Sequence, residues 1–151
     1  MAVLTKEVGA QYPLTAKFTF NAADSMINTG GTSKTFGDAT PGAFDVFYPP
    51  PGAMVIGGRV LVETAAADNT STVDVGDSDD TDRYTEAGAI DLADPDAPAS
   101  GFDLLGDGKV YDGSQAIRLT FANGGAVTAT KAHVIVTMVM NGRQNENLKT
   151  T

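Results

Sequence analysis

Apolar and polar residues alternate along most of the chain, so that apolar side chains recur at every second position. This period places successive side chains on opposite faces of a β-strand, and the longer period typical of an amphipathic helix is nearly absent. The pattern therefore predicts strands rather than helices. The alternating stretches are residues 14–20, 44–48, 54–62, 73–75, 117–121 and 127–140.

Three of these stretches predict which side chains share a face. In the stretch 54–62, one face is expected to hold Met54, Ile56, Gly58, Val60 and Val62. In the last stretch, one face is expected to hold Ala132, Val134, Val136, Met138 and Met140. In the stretch 44–48, Phe44, Val46 and Tyr48 share a face opposite Asp45, and Phe47 interrupts the polar side.

Segments rich in glycine and proline separate the stretches and predict tight turns. The consecutive prolines of segment 49–52 have no N–H to donate, so this segment is expected to lie outside the sheet. Short strands joined by such turns are typical of a β-sandwich or jelly roll. We therefore predict an all-β fold, with a single-domain, jelly-roll-like β-sandwich over residues 13–140. Residues 1–12 are expected to form an extended N-terminal arm and residues 141–151 a polar C-terminal arm.

The net charge of −9 is concentrated in the middle of the chain. Of the 19 acidic residues, 13 lie between Asp68 and Asp112, where only Arg83 and Lys109 are basic. Nucleic acids and anionic membranes bind basic surfaces, so neither is expected as a partner. The absence of cysteine excludes disulfides and thiolate chemistry.

The acidic loop, residues 77–82, is the densest group of candidate metal ligands. Its four aspartates are Asp77, Asp79, Asp80 and Asp82. Carboxylate oxygens are the ligands that Ca²⁺ prefers, so these residues are the candidate calcium site. The spacing departs from the EF-hand pattern after its first positions. We favour a solvated loop in which Arg83 pairs with an aspartate, so no cofactor is expected and calcium is the open alternative.

No combination of residues predicts an enzyme. Paired carboxylates in the acidic middle would suit glycoside hydrolysis, but the chain has no tryptophan to stack on a sugar. His133 is the single histidine, on the polar phase of the last stretch, and no Gly-x-Ser-x-Gly motif supplies a nucleophile. We expect no catalytic activity, and an acid-catalysed hydrolase is a formal alternative only.

Three pieces of the chain, in fixed order, resemble a family of small virion proteins from tailed bacteriophages. They are residues 46–64, residues 73–84 with the motif Gly-Asp-Ser-Asp-Asp-Thr-Asp-Arg-Tyr, and residues 117–121, and the span from 46 to 121 that contains them is about half of the chain. Members of this family are described as capsid decoration, cement or head structural proteins. The resemblance implies a small β-sandwich that associates on the capsid exterior around local symmetry axes, without catalytic residues.

The function expected from this resemblance is that of a non-enzymatic virion protein that decorates or cements a bacteriophage capsid. The expected partners are the major capsid protein and further copies of the chain, as a homotrimer, on the exterior of a virion assembled in the bacterial cytoplasm. Apolar residues at nominally exposed strand positions suit such contacts. They are Phe47, Val55, Leu61, Ile135 and Val139, and the alternative is that the same residues pack a two-sided sandwich core. The interface is expected to include Phe47, Tyr48, Met54 and Leu61.

The alternative function is a phage fibre piece or a carbohydrate- or receptor-binding β-sandwich, stabilised by calcium in the acidic loop. Such a module needs aromatic side chains at its surface to contact the ligand. The candidates are Tyr12, Tyr48, Tyr84 and Tyr111.

Overall fold

A computed structural model of the chain describes residues 13–67, 70–85, 89–93 and 102–140. These residues form ten β-strands and no helix, which confirms the all-β prediction, and none of them belongs to a helix able to cross a membrane. The strands β1 to β10 are, in order, Leu14–Asn21, Ser25–Ile27, Ser33–Thr35, Gly42–Phe47, Ala53–Thr64, Ser71–Gly76, Ile90–Asp91, Phe102–Leu105, Ile117–Asn123 and Lys131–Met140.

Eight strands form two four-stranded antiparallel sheets. The first sheet has the order β1-β10-β5-β8 and the second sheet the order β4-β9-β6-β7, while β2 and β3 form a separate hairpin. Apart from the step between β6 and β7, successive strands of the two sheets alternate between the layers. Two four-stranded sheets connected in this way form a jelly roll, as the sequence predicts.

The core lies between the two sheets and contains a group of phenylalanines at one end. Phe36 packs against Phe20, Phe44 and Phe121, with ring centroids 5.3, 4.7 and 5.3 Å apart. Each of these side chains is buried, which stabilises the fold by roughly 1.5–3 kcal/mol per side chain. The inward face of β10 is the predicted one, since Ala132, Val134, Val136 and Met138 are buried.

The predicted face of β5 is wrong in its first half. Val60 and Val62 point into the core as expected, but so does Val55, whereas Ile56 is exposed. In the pairing with β10, Thr137 lies opposite Gly57, but the next residue, Met138, lies opposite Val55. Ile56 is therefore an extra residue in β5 at this point. A β-bulge of this kind reverses the side-chain phase, which alternation along the chain does not reveal.

A bulge in β4 moves Phe47 away from its predicted position on the polar face. The register of β4 against β9 shifts between Asp45 and Phe47, so that Phe47 lies opposite the buried Ile117 and packs against the core. The last strand is also shorter than predicted, since it begins at Lys131 rather than near residue 127. Val127 is buried, but its backbone N–H donates to the carbonyl of Gly37 and not to a sheet.

The described sandwich lies within the predicted domain, residues 13–140. The predicted arms, residues 1–12 and 141–151, lie outside the described residues. The division of the chain into a domain and two arms stays a prediction.

Candidate functional site

The acidic loop folds back over the end of β6. The backbone N–H of Asp77 donates to the carbonyl of Asp80 at 2.8 Å, and the N–H groups of Asp79 and Asp80 donate to Oδ1 of Asp77 at 2.9 and 3.1 Å. Gly76 permits this close return, because a Cβ at position 76 would lie 2.2 Å from the carbonyl oxygen of Asp80.

Asp77 is the centre of a buried charged network, here called the Asp77 network. Its Oδ2 atom accepts hydrogen bonds from Nε of Arg83 at 2.8 Å, from Nζ of Lys109 at 2.8 Å and from the hydroxyl of Tyr111 at 3.0 Å. The side chain of Asp77 has no exposed surface, and those of Arg83 and Lys109 are mostly buried. A buried carboxylate is tolerated when it is paired and hydrogen-bonded in this way.

The network shifts the ionisation of its members toward the charged forms. Burial alone would raise the pKa of Asp77, but the donors Lys109, Asp79 N–H and Tyr111, with the charge of Arg83, lower it from 3.8 to about 2. Burial alone would lower the pKa of Lys109, but its bonds to Asp77 and Asp79 raise that pKa above its usual value. The network is therefore ionised at neutral pH.

Tyr84 and Tyr111 belong to the interior, not to a binding platform. Their hydroxyl oxygens lie 2.5 Å apart, and both side chains are buried. Burial raises the pKa of Tyr84 to about 12 and raises that of Tyr111 as well, so both remain neutral. Of the four tyrosines proposed as an aromatic surface, Tyr48 is exposed, and Tyr12 lies outside the described residues.

The four candidate calcium ligands make hydrogen bonds to other groups of the protein or to each other. Asp77 is occupied by the cations of its network, and Oδ2 of Asp79 accepts from Lys109 at 3.0 Å and from Gln115 at 2.7 Å. Asp80 has a raised pKa because its carboxyl group hydrogen-bonds with that of Asp82. Within the described parts of the chain, no three carboxylate or imidazole groups are arranged to hold a metal ion. Calcium binding here stays a prediction.

His133 has a structural environment. Its Nδ1 atom lies 2.8 Å from the hydroxyl of Thr19, and its Nε2 atom lies 2.9 Å from Oε2 of Glu63. These partners lie on the neighbouring strands β1 and β5, on the outer face of the first sheet. The imidazole therefore connects three strands, as expected for a histidine satisfied by its neighbours.

Exposed apolar side chains collect at the end of the first sheet where β5 begins. Met54 lies opposite Val139 of β10 and forms a bridge with Val110, and Leu105 of β8 lies opposite Gly57. We call this surface the apolar end and define it as Met54, Ile56, Leu105, Val110 and Val139. Ile56, Leu105 and Val110 are 46%, 50% and 43% exposed, and Met54 and Val139 are half-buried. Isolated exposed apolar residues are ordinary, but a contiguous group marks a contact surface.

The predicted interface residues have different positions. Tyr48 is 61% exposed in the connection that leads to β5, and Met54 belongs to the apolar end. Leu61 is half-buried on the outer face of the first sheet, whereas Phe47 packs against the core. Val55, named as an exposed apolar position, is buried because of the bulge in β5. The structure thus brings only part of the predicted set to one surface.

Sequence reasoning missed Lys109, Tyr111 and Gln115 as partners of the acidic loop, and Asp107 as a partner of Arg83. These residues lie about 30 positions from the loop in the chain, so no local motif connects them. One signal was available, since Arg83 and Lys109 are the only basic residues between Asp68 and Asp112, and both pair with Asp77.

Comparison with known proteins establishes the fold. No protein-family model and no curated protein matches the chain. A chain of the cyanophage Pam1 capsid asymmetric unit is 20% identical, with a TM-score of 0.56 over 92% of this chain and 94% of that chain. A chain of the acidic stable capsid structure of Helicobacter pylori bacteriophage KHP30 is 16% identical, with a TM-score of 0.53 over 87% and 94%. The protein therefore has a β-sandwich fold that occurs in chains of phage capsid structures.

Proposed function

We propose that this protein is a structural subunit that decorates or cements a bacteriophage capsid. The observation that carries the proposal is the likeness of fold, over almost the whole of both chains, to chains from two phage capsid structures. Because the likeness covers nearly all of each chain, the neighbours are also about as long as this protein. Each of these two capsid structures therefore contains a chain of about this length and fold.

The apolar end supplies a surface for the required contacts. Apolar side chains are exposed to water here in the isolated subunit, at Ile56, Leu105 and Val110. Removal of this apolar area from water is favourable. Burial against another subunit would stabilise the assembly by roughly 25 cal/mol for each Å² of apolar area removed from water. The partners in this proposal are the major capsid protein and further copies of the chain, arranged as a homotrimer around a local symmetry axis.

The charge distribution suits the outside of the capsid rather than the DNA side. The net charge of −9 would repel packaged nucleic acid, whereas an acidic outer surface keeps particles apart in solution. The protein acts in this role through its surfaces, without catalysis. Its buried ionic network stabilises the subunit instead of binding a substrate.

Cosedimentation with capsid shells tests this function. Shells of the parent phage that lack this protein would be mixed with purified protein and pelleted. We expect the wild-type protein to pellet with the shells and the Val110→Asp variant to remain in the supernatant, because a charge at the apolar end opposes its burial. Ile27→Asp is the matched control, since Ile27 is 62% exposed on the β2–β3 hairpin at the opposite end of the sandwich.

The proposal requires that Ile27→Asp binds like the wild type and that all three proteins have circular dichroism spectra typical of a folded β-protein. Failure of the folded wild-type protein to bind shells at any concentration would refute the decoration or cement function. The fibre or sugar-binding alternative has no comparable support, because Tyr84 and Tyr111 are buried.

A further inference from the structure

We propose that two copies of the chain pack face to face through the outer face of the first sheet, related by a two-fold axis parallel to the strands. The inference goes beyond the proposed function, since it concerns the protein in solution whether or not a shell is present. It follows from the order of the strands and from the positions of the charged and apolar side chains on this face.

The strand order allows a two-fold axis to superpose the strands in pairs. The first sheet has the order β1-β10-β5-β8, so its midline runs between β10 and β5. A two-fold axis along this midline places β1 of one copy over β8 of the other, and β10 over β5. Because the axis is parallel to the strands, each cross-strand row meets the same row of the second copy. Both copies use the same surface, as in the dimers that are the commonest oligomers.

The two edge strands of the sheet carry opposite charges in the same row. Lys17 of β1 lies opposite Ile135, which in turn lies opposite Arg59 of β5. Arg59 lies opposite Asp103 of β8. Lys17 is exposed and forms no ion pair within the part of the chain that the structure describes, and the side chain of Asp103 is 78% exposed. In the dimer, Lys17 of each copy would face Asp103 of the other, so this row is complementary to itself in charge.

The two central strands carry a second pair of opposite charges. Nζ of Lys131 on β10 lies 2.7 Å from Oε1 of Glu63 on β5, and the side chains are 37% and 49% exposed. Across the two-fold axis, Lys131 of each copy would approach Glu63 of the other. The two ion pairs would then form a square of alternating charge.

The outer face of the second sheet does not have this property. The charged residues that the structure describes there are Asp45, Asp74, Asp91 and Arg118. Its edge strands β4 and β7 each carry an aspartate, so a two-fold axis along that sheet would bring two acidic edges together. Charge therefore favours self-association through the first sheet.

Apolar side chains lie close to the proposed axis, inside the charged edges. Met54 and Leu61 of β5 and Ile135 and Val139 of β10 are half-buried. An apolar centre within a polar rim is the usual anatomy of an interface. The four strands and the ten residues of β10 give a face of about 19 by 34 Å, at about 4.8 Å per strand and 3.4 Å per residue. Two such faces bury about 1,300 Å², above the roughly 1,000 Å² expected of a specific interface.

The dimer would present both apolar ends in the same direction. An axis parallel to the strands keeps corresponding strand ends together, so the two apolar ends lie side by side and face the same shell. The contact differs from that of the proposed homotrimer, because a two-fold axis relates only two copies. On a shell it would connect one trimer to the next.

Exchange of charges between copies tests the contact. Lys17→Glu alone would place a carboxylate against Asp103 of the second copy, and Asp103→Lys alone would place two ammonium groups together. We expect sedimentation equilibrium to show a dimer for the wild type and self-association at least tenfold weaker for each single variant. An equal mixture of the two variants should form heterodimers in native mass spectra, because every edge contact then joins opposite charges.

Lys34→Glu is the control, because Lys34 lies on β3 of the hairpin and not on the first sheet. This variant should associate like the wild type, and circular dichroism must show that every variant is folded. A wild type that is monomeric at every concentration, or single variants that associate as strongly as the wild type, would overturn the dimer. Single variants that also fail to pair in the mixture would overturn the proposed axis.

The dimer and the proposed function fail in different experiments. A folded wild-type protein that dimerises but never pellets with shells refutes the proposed function and leaves the dimer in place. A folded protein that binds shells but shows no charge-dependent dimer refutes only the dimer.

Discussion

The side-chain nitrogen of Lys109 lies 2.8 Å from Oδ2 of Asp77 and joins the two layers of the sandwich. Asp77 follows β6 of the second sheet, whereas Lys109 follows β8 of the first sheet. Arg83 makes a parallel connection, since it donates to Asp77 and also pairs with Asp107. These ion pairs connect the layers at a site outside the phenylalanine cluster, next to the buried hydroxyl pair of Tyr84 and Tyr111.

Replacement of Asp77 by asparagine should destabilise the fold strongly. The variant removes the negative charge while Lys109 and Arg83 remain mostly buried beside it. We expect the free energy of unfolding to fall by about 2–3 kcal/mol. This is less than the loss expected when one partner of a fully buried ion pair is removed, because some water still reaches both cations. Urea denaturation measures this difference.

Asp103→Asn is the matched control for that experiment. Asp103 pairs with Arg59 across the outer face, and their side chains are 78% and 46% exposed. An exposed pair contributes little, so we expect a change below about 0.5 kcal/mol. Equal losses in the two variants would contradict the assigned role of Asp77.

The stability of the wild-type protein should decline in acid because of the same carboxylate. The pKa of Asp77 is lowered from 3.8 to about 2 by folding, so its contribution is present above pH 4. It is lost as the pH falls from about 4 to 2, where the folded state must take up the proton. The lowering of the Asp77 pKa from 3.8 to about 2 corresponds to about 2.5 kcal/mol of folding free energy. Unfolding free energies of wild type and Asp77→Asn, measured between pH 6 and about pH 2, should converge over this window. A constant difference would argue against the low pKa.

Gly76→Ala should disturb the acidic loop. An added Cβ would lie 2.2 Å from the carbonyl oxygen of Asp80, and backbone atoms cannot move aside as a flexible side chain does. We expect a loss of at least about 2 kcal/mol, in the range of an overpacked site. Gly125→Ala is the control, because a Cβ there meets no atom within 4 Å. A thermal melt in which both variants match the wild type would show that the loop adopts another path.

Tyr48→Ala should weaken association without unfolding the subunit. The side chain is 61% exposed, so its removal costs little folding energy, whereas buried tyrosines often dominate binding at interfaces. We expect at least a tenfold rise in the dissociation constant for shells and an unchanged melting temperature. Ile27→Ala, which removes a side chain of equal exposure at the other end, should leave binding unaltered. Identical affinities for Tyr48→Ala and wild type would exclude this residue from the interface.

Calcium should have little effect on the wild-type melting temperature. An ion that binds Asp77 must displace the ammonium group of Lys109 and the guanidinium group of Arg83, which costs two ion pairs. We expect equal melting temperatures in EDTA and in about 5 mM Ca²⁺, because only binding to the native state stabilises it. A calcium-dependent rise, larger still in Lys109→Met, would support the predicted calcium site instead.

Alternation along the chain predicted the strands well and their faces less well. It identified β10 and its inward residues, because the period of two is a local property of an extended backbone. It placed Ile56 in the core and Val55 outside, which is the reverse of the structure. The bulge that reverses them depends on how β5 pairs with β10, which alternation within β5 does not reveal.

The same limit applies to the acidic loop. Four aspartates within six positions suggested a shared ion, and pairing of Arg83 with an aspartate was the favoured alternative. The choice between these depends on Lys109 and Tyr111, which reach Asp77 from the connection between β8 and β9. Such contacts arise only when the two layers pack, so the spacing of the aspartates does not contain them.

By itself, then, the amino-acid sequence determined a non-helical chain that folds as a jelly-roll-like sandwich with an acidic middle. These properties follow from residue order and composition, which act locally or as sums over the chain. The tertiary structure alone decided which aspartate is buried, which cations neutralise it and which apolar side chains remain exposed. Each of these depends on distances between residues far apart in the chain, and only packing of the two sheets sets such distances.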